Sequence, residues 1–79
     1  FELTHLVTAN ELTTPAAVVD YFAARFLSVA LDSVTRQKMI DAFTADLGTS
    51  DVLAAATYME DPLRVLLHML LSRPEYQLG

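Results

Sequence analysis

The run from Pro62 to Leu71 constrains this chain more than any other stretch. Seven of its ten residues are large and apolar. It is too short to span a bilayer, which takes about 20 apolar residues. It is also richer than the one-sided stripe of an ordinary surface helix. A helix from Pro62 to Ser72 is therefore expected to be covered from nearly every side, by the rest of the chain or by something else. Leu63, Leu66, Leu67, Leu70 and Leu71 are the candidate core or interface residues. Replacing Leu67 with Asp is expected to abolish folding or assembly, because an unpaired charge would enter a core.

The rest of the chain reads as helices joined by short turns, with only two Gly and three Pro among 79 residues. Leu3, Leu6 and Val7 are spaced for a short helix ending at Asn10, although Phe1 and Leu3 also alternate with Glu2 and Thr4 as an extended arm would. Thr14-Pro15 opens a firmer helix, since Thr accepts from orphaned amides and Pro loses nothing at the first helical position. Val18, Val19, Phe22, Ala23, Phe26 and Leu27 form its apolar face. Ser28 to Leu31 reads as a short connector or a frayed helix end. Ser33 is the expected cap of a helix from about Val34 to Leu47, with Met39, Ile40, Phe43 and Leu47 inward and Gly48 ending it in a left-handed conformation. Ser50 is expected to cap a short helix through Val52, Leu53, Ala56 and Met59, or to lie in an ordered loop. Asp61-Pro62 repeats the cap-plus-proline start, and Glu60 can pair with Arg64 four residues on. The expected fold is all-α, a small bundle of three to five short helices with the Pro62 to Ser72 helix central, forming a single helical domain over 1–79.

So short a chain buries a modest share of its surface, and without Cys it has neither disulfides nor thiolate metal sites to help. The compensation is an apolar content of 53% against 19% charged residues, which makes a covered face plausible. A net charge of −5 speaks against a nucleic-acid partner and an anionic membrane surface, both of which call for clustered Lys and Arg. The expected partner is instead a protein, the remainder of a larger chain, or a sister copy. The absent initiator Met suggests a processed chain, a fragment or a trimmed chain, so this end carries no sign of the compartment.

Catalytic and metal-binding patterns are missing. His5 and His68 have no metal-ligand companions at helical spacing. There is no nucleophile elbow and no glycine-rich phosphate cradle. Glu60-Asp61 is the one adjacent acidic pair, and the helix dipole explains it. His68, Arg64 and Ser72 form the wet edge of the last helix, and Tyr21, Tyr58 and Tyr76 read as core-edge residues. No catalytic residue, metal ligand or cofactor is expected.

One constellation points elsewhere. Leu31-Asp32-Ser33-Val34, opening a helix that ends in Leu47-Gly48, is similar to the attachment site of acyl and peptidyl carrier proteins. That likeness implies phosphopantetheine on Ser33 and a recognition helix running to Leu47. Carriers, however, place a long loop before this serine and a Gly where Leu31 stands. Their following helix is acidic, whereas this one opens with Arg36 and Lys38.

The end of the chain carries a second resemblance. Leu66-Leu67-His68-Met69-Leu70-Leu71 followed by Ser72-Arg73-Pro74-Glu75-Tyr76 resembles the closing segment of a bacterial family catalogued as domain of unknown function eighteen-hundred. The Thr14-Pro-Ala-Ala-Val-Val-Asp helix start and Leu31-Asp32-Ser33 with Arg36 follow the same layout, so the likeness runs from about Leu12 to Gly79. It implies the C-terminal part of a longer bacterial protein, or a short relative of the family, with an exported or periplasmic setting. That family has no established catalytic residues, so none is carried over. The function expected is a non-catalytic structural or protein-interaction module, with the carrier reading as the alternative.

Overall fold

The computed structural model describes residues 2–27 and 30–72. Among them are four α-helices and no strand: α1 (Leu3–Ala9), α2 (Pro15–Phe26), α3 (Ser33–Leu47) and α4 (Glu60–Leu71), with a 3-10 helix (Val52–Ala55) between α3 and α4. The fold is a small all-α bundle. Ser28, Val29 and the motif from Arg73 to Tyr76 lie outside the described residues.

α1 is helical rather than extended. Leu3 and Val7, one turn apart, are fully buried, and Leu6 packs partly against the core. The helix closes through paired reverse bonds: Glu11 N–H donates to Thr8 O and Leu12 N–H to Val7 O. This is a Schellman ending, with Glu11 in the left-handed position at φ 54°. α2 begins as its residues dictate, Pro15 at the start and Thr14 Oγ1 accepting from Ala17 N–H at 3.2 Å. Val18, Val19 and Phe22 have no exposed surface, and Leu27 completes their face. The Phe22 and Phe26 rings meet edge to face, centroids 5.6 Å apart, a favoured aromatic geometry.

The cap of α3 is Asp32, not Ser33: its carboxylate accepts from Thr35 N–H at 3.1 Å, and Ser33 is the first helical residue. Both types cap well, but only the side chain one position earlier reaches that amide. Phe43 and Leu47 are buried, whereas Met39 and Ile40 are half-buried. Gly48 ends the helix at φ +75° and donates to Thr44 O. The next turn is capped by Asp51 rather than Ser50, with Leu53 N–H on its carboxylate. Val52, Ala55 and Met59 face the core, while Leu53 is 56% exposed.

α4 starts at Glu60, two residues before Pro62, and no side chain caps it. Asp61 is thus not a cap. A proline in the first turn leaves no intrahelical bond unmade, so the helix begins ahead of it. α4 packs against α1, α2 and α3 and is the central helix. Leu63, Leu66 and Leu70 are fully buried, each contributing about 1.5–3 kcal/mol of burial. Leu67, Met69 and Leu71 are only partly covered, and Val65 is 47% exposed. Cover from nearly every side is therefore not what is seen. The bundle encloses one face of α4 and leaves the opposite face open.

Candidate functional site

The open face of α4 borders a shallow groove of about 260 Å3, lined by Leu3 at the start of α1 and by Arg64, Leu67, His68 and Leu71 of α4. It exists because α4 carries more leucines than the bundle can enclose. Leu63, Leu66 and Leu70 recur at three- and four-residue spacing and point inward. Leu67 and Leu71 are offset by one position and fall on its flank. Arg64 and His68 form the polar rim, one turn apart. Ser72 lies one turn further on and donates its hydroxyl to His68 O at 2.7 Å.

At the α1 end of the groove Glu60 makes a set of long-range bonds. Its carboxylate accepts from Leu3 N–H (3.1 Å), Thr4 N–H (2.9 Å) and the Thr4 hydroxyl (2.8 Å). It also pairs with Arg64 Nε at 3.1 Å. The expected four-residue pair is thus present, but the larger role of Glu60 is to cap α1 from the far end of the chain. Partial burial pushes its carboxyl up. The Thr4 and Leu3 amides, the Thr4 hydroxyl and the Arg64 charge outweigh that and hold it below its ordinary value. Nothing local in the sequence signals this cap, because donor and acceptor lie 56 and 57 residues apart.

A second cleft, about 380 Å3, lies between α2 and α3, lined by Asp20, Ala23, Ala24, Leu27, Ala30, Leu31 and Arg36. Arg36 closes one side with a two-pronged bond to the Asp20 carboxylate at 2.7 and 2.9 Å. Those bonds hold the Asp20 carboxyl below its ordinary value; slight burial opposes them and the Arg36 charge adds to them. Ser33, the carrier candidate, is exposed at the start of α3. The connection leading to it from α2 spans only residues 27–32.

The chemistry of these surfaces is spare. Among the described residues no side chain that is polar or charged is buried, and no three His, Asp or Glu gather where a metal ion could sit. His5 and His68 are both exposed. Glu60 and Asp20 are each held ionised by donors, which makes them poor proton carriers near neutrality. Tyr21 accepts from Asn10 Nδ2, and the half-exposed Tyr58 donates to Leu47 O; Tyr76 lies outside the described residues. What the α4 groove offers is apolar contact beside a cation. No described helix is long and apolar enough to cross a membrane.

The chain matches no protein-family model, no curated protein and no solved structure.

Proposed function

We propose that this chain is a non-catalytic helical module that docks through the open face of α4 onto the remainder of a longer bacterial protein, of which it is the C-terminal part. The observation that carries the reading is the incomplete cover of α4: Leu67 and Leu71, only partly covered by the bundle, line an apolar groove together with Leu3. Apolar surface left together on one helix commonly marks an interface. The likeness of Ser72-Arg73-Pro74-Glu75-Tyr76 to the closing segment of the family eighteen-hundred supports the same reading and an exported or periplasmic setting.

A photo-crosslinking residue at Leu71 in the full-length protein tests it. Crosslinks to another region of the same polypeptide are expected. Capture of solvent alone would sink the proposal, and crosslinks to a sister copy would replace it with self-association.

A carrier role for Ser33 is the second reading. It is favoured by the exposure of Ser33 at a helix start close to the α2–α3 cleft. The six-residue approach to it counts against that role. Incubation with a phosphopantetheinyl transferase beside a control carrier decides: a mass gain on Ser33 establishes it, and modification of the control alone removes it.

A further inference from the structure

α1 has no means of standing alone. It is seven residues long, about half the length at which isolated helices become even marginal. Glu2 provides no side-chain cap, no acid lies in its first turn and no base in its last. Glu11 is adverse twice over: an L residue held at φ 54° and a negative charge beside the negative end of the helix dipole. The helix is held from outside. Leu3 and Val7 are buried, and the three bonds to Glu60 provide its N-terminal cap. Its main packing is with α4, whereas α2, α3 and α4 each pack against the other two. Just beyond α1 the chain is fixed again, by partly buried Leu12 and by Val52 N–H on Thr13 O. Any opening is thereby confined to the turn at Asn10 and Glu11.

We propose that α1 is a detachable strap. It swings from α4 as one unit about that turn, with Glu60 as its latch, while α2, α3 and α4 stay folded. Leu3 lines the groove with Leu67 and Leu71, so departure of the strap widens the apolar face of α4 by the surface α1 now covers. That the strap regulates docking rests on the function proposed above; that it opens does not.

Native-state hydrogen exchange on the unaltered chain tests the opening. The Thr8 and Ala9 amides are expected to exchange through an event of small denaturant dependence, well below the global limit reached by Phe22 and Leu66. In Glu60→Ala their exchange should quicken roughly tenfold, the effect of losing a good cap. A second variant, Val7→Asp, should lose the α1 signals and keep a cooperative melt with dispersed α2 to α4 resonances. The proposal is overturned if α1 amides exchange only with global unfolding, if Glu60→Ala leaves their rate unchanged, or if Val7→Asp unfolds the whole chain. None of these outcomes alters the crosslink expected at Leu71.

Discussion

Glu60 shows how one side chain can serve two helices. It is an acid in the first turn of α4, where the dipole favours it, and the cap of α1 as well. Its carboxyl sits below its ordinary value in the folded state, so its contribution is full above the unfolded value of about 4.3 and is lost as pH falls through the lowered folded value. Asp20 behaves in the same sense, though its exposure lets salt weaken the effect. Urea unfolding between pH 7 and pH 3 should show stability falling across the carboxylate range, and Glu60→Gln should flatten that fall. Glu11 makes the opposite case. Glu11→Gly removes both the left-handed strain and the misplaced charge, and should raise stability by about 1 kcal/mol in a denaturant melt. Gly48 already has the right residue for its φ of +75°, and Gly48→Ala should cost about 1 kcal/mol although the space around it is open.

Among the elements, α4 divides its leucines. Leu66 has no exposed surface, so Leu66→Ala should cost about 2–5 kcal/mol. Leu67 is half-covered, and Leu67→Ala should cost about 1 kcal/mol or less by the same measurement. The expectation that Leu67→Asp abolishes folding moves accordingly to Leu66→Asp. Leu67→Asp should leave the helical circular dichroism intact and weaken the crosslink at Leu71. α3 was legible as a helix from its spacing and from Gly48. Its cap is Asp32 rather than Ser33: both are good capping residues, and only the backbone angle decides which oxygen meets the Thr35 amide. α4 starts two residues ahead of Pro62 for a related reason: proline is tolerated anywhere in a first turn, so it marks a start only loosely.

At the scale of the molecule, every helix and the 3-10 turn contribute to one core, from Leu3 and Val7 to Leu63, Leu66 and Leu70. The Cα radius of gyration is 11.8 Å, against about 11.6 Å for a compact chain of this length. The helices therefore pack into a compact bundle. Its helical circular dichroism should stay constant on dilution from roughly 100 to 1 µM; loss of signal would mean that folding depends on association.

The all-α class, the α2 face and its Thr14-Pro15 start, and the helix-ending Gly48 were determined by the sequence alone, because capping and helical periodicity act between residues a few positions apart. Which leucines of α4 face inward, and that Glu60 caps α1, were decided only by the tertiary structure. Those outcomes depend on how much surface three neighbouring helices can cover and on contacts between opposite ends of the chain, which no local spacing encodes.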